Sequence, residues 1–509
     1  RRRARPGVAP ATPGRALYPG AEGIARIVEL ATEVPMLPLR IPTAYFIAFF
    51  LLGFANWLGA SFGNPTIDQI LYHLHYSTGI GITLGRIFVL TFVAECIAFP
   101  LLLAVGATFL QTLLQRLLTR RGPALGQWVL DVVPSAIAIG CGVTVIVLKL
   151  SIVTWLGYKL GPDHFAGEYQ NPSKVPLRPM ALKNLVLVYV ESLEDSYGDA
   201  TVWGRDLLAP LHKLNGASFS DYHTTPGSSW TIAAMVATQC GVPLRFVQTD
   251  MKEELPSLRV FLPNAVCLGD ILHGYGYRNV FLGGAPLSFA GKGKFLDDHH
   301  FGAAYGRDEW LKQGIPGTSF NDWGLYDDAL LDQARKQLVA LHSSGQRFNL
   351  TLLTLDTHNP FGYRSPTCRN QGVQLFEDIV ECTTWQVAEF VKFAASRGYL
   401  KDTQIVVIGD HLAKSNPVYE TLLQMPERRI FNRFFSQDMP EKNTDSIMPF
   451  DLFPSIVQLL GIEVPGDRLG LGYAAFGAQT VPRPASRKAG LGFPSLSGSK
   501  EYERLWDQP

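Results

Sequence analysis

The stretch Ile41–Ile67 carries no charged residue. It is long enough to cross a bilayer, for which about 20 apolar residues suffice. Ile87–Gln115 repeats the pattern with Glu95 as its one charge, and Val132–Tyr158 repeats it with Lys149. Three such runs in series predict three membrane spans. Composition agrees: in 509 residues the charged share is 17% while the apolar share is an ordinary 47%, which suits membrane helices joined to a water-facing domain. The net charge of +1, with no basic cluster interleaved with aromatics in the second half, excludes a general nucleic-acid binder.

Orientation follows from the basic residues. Arg1, Arg2, Arg3, Arg5, Arg15, Arg26 and Arg40 place residues 1–40 on the cytoplasmic side by the positive-inside rule, as a mostly disordered tail with one short helix around Gly23–Thr32. Asp68–Arg86, with His73 and His75, then reads as an external loop, and Arg116, Arg120 and Arg121 return the chain to the cytoplasm. The third span leaves everything after about Lys159 outside. Glu95 and Lys149 fall at similar depth, where they either pair or leave Lys149 to snorkel. Cysteines support the same orientation. Cys96 and Cys141 lie in apolar runs, whereas Cys240, Cys267, Cys368 and Cys382 lie in the second part. Their order suggests bridges Cys240–Cys267 and Cys368–Cys382, one of three possible pairings, and bridges imply an oxidising compartment.

The boundaries expected are a tail at 1–40, a membrane domain of three helices at 41–160, and a proline-rich linker on the membrane surface at 161–180. A catalytic domain at 181–475 and a flexible tail at 476–509 complete the chain. From Lys183 onward, short apolar strands alternate with helical segments, which argues an α/β fold with a largely parallel central sheet. Strands are expected at Asn184–Val190, Arg278–Leu282, Phe348–Leu355 and Gln404–Ile408, and helices at Trp230–Cys240, Tyr326–His342, Asp378–Arg397 and Asp451–Leu460.

Each strand runs into polar residues or glycines: Glu191 after the first, Gly283–Lys294 after the second, Asp356, His358 and Asn359 after the third, Asp410 and His411 after the fourth. In open α/β sheets the ligand crevice lies at the carboxyl ends of the strands. Residues scattered over two hundred positions can therefore converge there. Within TTPGSSWTIAAMVATQC, Pro226-Gly227 reads as a turn and Ser228 as the residue that opens a helix, where a hydroxyl meets the positive end of the helix dipole. On this stretch alone an ordinary helix cap is the better account of Ser228, and it is the residues at the strand ends that point to chemistry. Glu191, Asp410 and His411, joined by the Ser228 hydroxyl, make an oxygen and nitrogen set suited to one divalent cation. Such an ion would activate the hydroxyl and offset charge in phosphoryl transfer, with His358 as proton donor to the leaving alkoxide.

These residues carry a resemblance. NLVLVYVESLE, TTPGSSWTIAAMVATQCGVPL, CLGDIL, NDWGLYDD, SGQRFNLTLLTLDTHNP and IVVIGDHLA resemble the phosphoglycerol transferase I family, membrane-anchored relatives of alkaline phosphatases and sulfatases that act on periplasmic glucans. The resemblance covers nearly all of Lys183–Gly470, and lipoteichoic acid synthase is more distantly similar. It implies a sulfatase-like domain in which Glu191, Ser228, Asp410 and His411 hold a catalytic ion, manganese with magnesium or zinc as alternatives. It further implies a covalent phosphoglyceryl intermediate on Ser228, and contact of His358 with the phosphate or glycerol. Lys292 falls where lipoteichoic acid synthase has an arginine, and Asn321, Asp322 and Trp323 are read as lining the acceptor cleft. These transferases commonly use threonine where this chain has Ser228, and Ser229 and Thr231 are neighbours able to take the role.

The function implied is transfer of sn-glycerol 1-phosphate from phosphatidylglycerol to osmoregulated periplasmic glucans, releasing diacylglycerol, by a multi-pass protein of the bacterial inner membrane. Two alternatives are a phosphoethanolamine transferase of the same superfamily and a non-catalytic glucan-binding membrane module. A sulfatase would need proline two positions and arginine four positions after the converted residue, where Trp230 and Ile232 follow Ser228.

Overall fold

Alternating residues of Leu185–Val190 are buried in two separate apolar clusters. Leu185, Leu187 and Tyr189 belong to one, Val186, Val188 and Val190 to the other. A strand covered on both faces is the mark of a parallel sheet between helical layers. The computed structural model describes residues 40–63, 65–76, 86–119, 127–160, 163, 165–245, 260–478, 481–483 and 499–507. The expected helix at Gly23–Thr32, and Arg120 and Arg121, lie outside the described residues.

The chain divides into two compact units, Arg1–Gly53 with Cys96–Val143, and Phe54–Glu95 with Thr144–Pro509. Among the described residues three helices are long and apolar enough to cross a membrane: Arg40–Phe62 (α1), Phe88–Leu117 and Val132–Lys149. Leu102, Phe109 and Ile137 stand exposed on them, and apolar side chains on the outer faces of long helices suit a lipid surround. The first helix ends at Phe62 rather than Ile67 because Gly63 turns to φ 63° and Pro65 follows. What was expected as a loop begins with a second helix, Ile67–Tyr76 (α2). The third apolar helix stops at Lys149, Ser151 adopts φ 52°, and Ile152–Leu160 forms a separate helix. Glu95 accepts a hydrogen bond from Asn56 Nδ2 at 3.3 Å.

In the second unit six strands form one sheet: β1 (Asn184–Val190), β2 (Arg278–Gly283), β3 (Ala303–Tyr305), β4 (Phe348–Leu353), β5 (Thr403–Gly409) and β6 (Asn432–Phe435), in the order β3-β2-β4-β1-β5-β6. All pairs are parallel except β5 with β6. On one face pack helices α3 (Thr231–Cys240) and α6 (Pro449–Leu459), on the other α4 (Asp327–Ser343) and α5 (Phe376–Ser396). Cys240–Cys267 and Cys368–Cys382 are both bridged.

Two segments expected to lie apart from this domain pack on it. In the 161–180 linker Phe165 is fully buried, and Arg178–Pro179 pairs with Ile462–Glu463. Near the end of the chain, Tyr502, Leu505 and Trp506 are buried, and Tyr502 Oη donates to the carbonyl of Pro243 at 2.8 Å. Apolar residues spaced in an otherwise polar tail supply that docking, which a composition-based reading averages away.

Candidate active site

The register of the central strands brings the acids together. Val190 of β1 lies opposite Gly409 of β5, so Glu191 and Asp410 leave adjacent parallel strands side by side. Gly409 is required there: a Cβ would come within 1.8 Å of the Leu193 carbonyl. Glu191 is fixed through its backbone, the N–H donating to Thr354 Oγ1 at 3.0 Å and the carbonyl accepting from Thr357 Oγ1 at 2.5 Å. Ser192 takes a left-handed φ of 55°, a conformation held at functional sites by surrounding contacts. Its N–H reaches Asp410 Oδ1 at 2.7 Å, and the His411 N–H reaches the same oxygen at 2.8 Å.

One oxygen of Asp410 is thus fully engaged, while Oδ2 is buried without a hydrogen bond among the described residues. His411 Nε2 lies 3.4 Å from it and 3.6 Å from Glu191 Oε1. His411 Nδ1 sits 2.9 Å from the Leu412 carbonyl, which as acceptor fixes the proton on Nδ1 and leaves Nε2 a lone pair. Burial first, then the Asp410 charge, push the Glu191 carboxyl up to about 7. Two buried carboxylates, an orphaned oxygen and an imidazole lone pair, with ligand atoms within 4.8 Å of one another, fit a divalent cation, which would relieve their repulsion.

The hydroxyl that faces this cluster is not Ser228. The helix α3 starts at Thr231, with Trp230 in extended conformation at the cap. Ser228 belongs to the preceding turn: it is fully buried, its Oγ donates to the Thr225 carbonyl at 2.8 Å and accepts from the Thr225 N–H at 3.1 Å. Those bonds hold the hydroxyl in its own turn. Thr231, at the first helical position, puts Oγ1 3.4 Å from Glu191 Oε2. The expected cap lies two residues before the observed one because a Ser after Pro-Gly satisfies the same capping preference that here closes a turn.

His358 follows β4. Its Nδ1 lies 2.6 Å from the Asn359 carbonyl, so Nδ1 carries the proton and the neutral ring offers Nε2 as an acceptor. Burial pulls its pKa down. A neutral ring of this kind can take up and pass on a proton at Nε2. Lys292 is 4% exposed, its amine 6.0 Å from the Phe281 ring centroid, and burial lowers it to about 8 against the raising pull of Glu191. The Trp323 ring lies 5.4 Å from His358 and 4.9 Å from Phe289. Asn321 and Asp322 instead line a cavity of about 460 Å³ with Arg307, Phe320, Tyr326 and Tyr363. Asn321 Oδ1 closes the local turn through the N–H groups of Trp323 and Gly324, while its Nδ2 has no hydrogen-bond partner among the described residues.

A residue absent from the expected set also belongs here. Burial brings Lys414, three positions after His411, down to about 8, against the raising pull of Asp410 and Glu191. No pattern in the sequence marks it; only the fold brings it to the acids.

Two proteins named phosphoglycerol transferase I, from Salmonella paratyphi B and Salmonella typhimurium, are each 38% identical to this chain over 334 residues, covering 63% of it and 42% of their own length. The chain thus spans about two fifths of these relatives. Among solved structures, a protein in the alkaline phosphatase superfamily from Vibrio parahaemolyticus aligns at 20% identity over 60% of this chain and 74% of its own, with a TM-score of 0.46. The lipoteichoic acid synthase LtaP from Listeria monocytogenes aligns at 19% identity over 57% and 74%, with a TM-score of 0.44. The Sulfatase family matches residues 183–462, which contain all of Glu191, Thr231, Lys292, His358, Asp410 and His411. This chain belongs to the sulfatase family.

Proposed function

We propose that this chain is a phosphotransferase that moves sn-glycerol 1-phosphate from phosphatidylglycerol to the hydroxyl of a periplasmic glucan, with Thr231 as nucleophile. It would act as a multi-pass protein of the bacterial inner membrane, its sulfatase-family domain in the periplasm. The single observation that carries the reading is the Thr231 hydroxyl 3.4 Å from Glu191, beside an acid and imidazole set fit for a cation. Three helices long enough to cross a membrane give the domain a reason to sit beside a lipid donor. The named relatives point to the same donor chemistry.

Glu191, Asp410 and His411 would hold the cation, proposed as manganese. When bound, it supplies positive charge that favours the ionised hydroxyl and offsets charge on the transferring group. In the first step the Thr231 Oγ1–phosphorus bond forms as the phosphorus–oxygen bond to diacylglycerol breaks. The threonine proton reappears on the diacylglycerol hydroxyl. In the second, the acceptor oxygen displaces Thr231, and the acceptor proton returns to the threonine. His358 Nε2 is a place to hold that proton in transit. The N-terminus of α3 favours the anionic group bound at its first residue, and Lys292 adds positive charge beside it. A formylglycine route is closed to a threonine.

Diacylglycerol release by the purified full chain with manganese, offered phosphatidylglycerol or phosphatidylethanolamine, tests the reading. Release from phosphatidylglycerol that is lost in Thr231→Ala supports it. Release from phosphatidylethanolamine alone would replace the donor, and full activity in Thr231→Ala would remove the nucleophile.

A further inference from the structure

The outer end of α1 is joined to the site loops. An α-helix leaves its last four carbonyls without intrahelical partners. Here the carbonyl of Ala60 accepts from Ser415 Oγ, and that of Ser61 accepts from Asn359 Nδ2 at 3.0 Å. Asn359 is the neighbour of His358, and Ser415 follows four positions after His411. The two loops that carry site residues therefore cap a helix of membrane-crossing length. Lys414 packs directly on the next residue: a Cβ on Gly63 would lie 2.6 Å from Lys414 Cβ. Helix α2 continues the same wall. Tyr72 Oη donates to the Ala290 carbonyl at 3.0 Å, its ring lies 6.4 Å from that of Trp230, and the His73 ring lies 5.9 Å from that of Phe289. Asp68 pairs with Arg245 at 3.1 Å.

Lys414 packs on the end of α1 and lies within electrostatic reach of both acids. Among the described residues its amine makes no hydrogen bond or ion pair, although Asp410 and Glu191 act on it, and its charge is felt by both His73 and His358. Burial, and then the Lys414 charge, lower His73 to about 4. An amine without a partner, beside a site for a phosphoryl group, is an anion-binding group in waiting. The end of a membrane-crossing helix lies at the level of lipid headgroup phosphates. Building on the function proposed above, we propose that Lys414 binds a non-bridging oxygen of the donor lipid's phosphodiester, on the side of the site formed by the end of α1, and so positions the lipid for attack by Thr231.

The shared chemistry is a phosphate anion, and lipid or free phosphate could supply it; the geometry favours the lipid. The test uses the full chain in detergent with saturating manganese, measuring diacylglycerol release from phosphatidylglycerol for wild type, Lys414→Ala and Lys414→Arg. Inorganic phosphate serves as inhibitor in each. Loss of one charge-assisted hydrogen bond should raise KM for the lipid by about tenfold or more in Lys414→Ala, with kcat changed less than about threefold. Lys414→Arg should restore KM, and inhibition by inorganic phosphate should hold. Equal weakening of lipid and inorganic phosphate would overturn the lipid assignment. An unchanged KM with tighter manganese binding would overturn the inference entirely, reducing Lys414 to a counter-charge for the acids. An inactive wild type would instead sink the function on which the inference rests.

Discussion

Two pairs of buried acids lie at the carboxyl ends of neighbouring strands, and they resolve the same electrostatic problem in opposite ways. Glu191 and Asp410 follow β1 and β5. Asp356 follows β4 and meets Asp327 at the start of α4. In the second pair Asp327 accepts from the N–H groups of Leu355 at 2.6 Å and Asp356 at 3.1 Å, and the Asp327 N–H reaches Asp356 Oδ2 at 3.3 Å. Burial raises Asp327 to about 7 and Asp356 well above its ordinary value. That pair is closed by backbone groups and answers burial by holding a proton. The first pair has an imidazole lone pair, a threonine hydroxyl and two lysines around it, a set that a cation would neutralise. Both pairs contain a carboxylate oxygen without a hydrogen bond. Buried acids alone do not make a metal site; the neighbouring lone pair and the approach to it do.

The contrast breaks most sharply on activity. Glu191→Gln or Asp410→Asn should lower diacylglycerol release by about a thousandfold or more, because both the cation and its effect on Thr231 are lost. Asp356→Asn should leave turnover within a few fold, measured in the same assay. Equal losses in both pairs would erase the distinction.

Chelation is the next test. Removing the cation from the wild type should lower stability by about 2.7 kcal/mol when the ion had been present at a hundredfold its Kd, read as a fall in Tm restored by adding manganese. Glu191→Gln should show little response, whereas Asp356→Asn should respond as the wild type does.

The proton-holding pair predicts a pH dependence of its own. An acid whose folded pKa is raised binds its proton more tightly when folded, so its contribution is complete below the unfolded value of about 3.9. It is lost as pH rises through the folded pKa, a window that for Asp327 runs from about 4 to about 7. Asp356→Asn removes one of the two titrating groups. Chelated wild type and variant compared by denaturant unfolding should therefore diverge between pH 5 and pH 8, the variant gaining on the order of 1–2 kcal/mol at the higher pH. A variant that lost stability as pH rose, relative to wild type, would contradict protonation of the pair.

The smallest effect separates Ser228, in the turn before α3, from Thr231, at its first position. Ser228→Ala strips the buried partner from Thr225 and should cost about 1 kcal/mol or somewhat more, while diacylglycerol release stays within a few fold. A large loss of turnover without loss of fold would return Ser228 to the site.

Much of this was legible before the structure. Short continuous apolar runs placed β1 and the core of β5 within a residue, because strands buried on both faces are apolar throughout. The polar residues following those strands marked Glu191, Asp410 and His411. The failures have physical causes. Ser228 and Thr231 are both plausible helix openers, and only the hydrogen bonds of Thr225 decide between them. Lys414 carries no local signal, since its meaning comes from Gly63, hundreds of residues away in sequence. Helix α2 was read as a loop because its polar residues, Asp68 and His73, face other parts of the fold rather than water. The docked Tyr502 and Trp506 were hidden in a polar tail.

The proposed chemistry requires a phosphoglyceryl group held covalently by Thr231. Its most direct test is mass spectrometry of the full chain incubated with manganese and phosphatidylglycerol and quenched in acid before an acceptor is added. Fragmentation of the peptide that spans Thr224–Cys240 should place the added phosphoglyceryl mass on Thr231. The same mass on Ser228 or Ser229, or diacylglycerol release with no adduct anywhere in the chain, would contradict it.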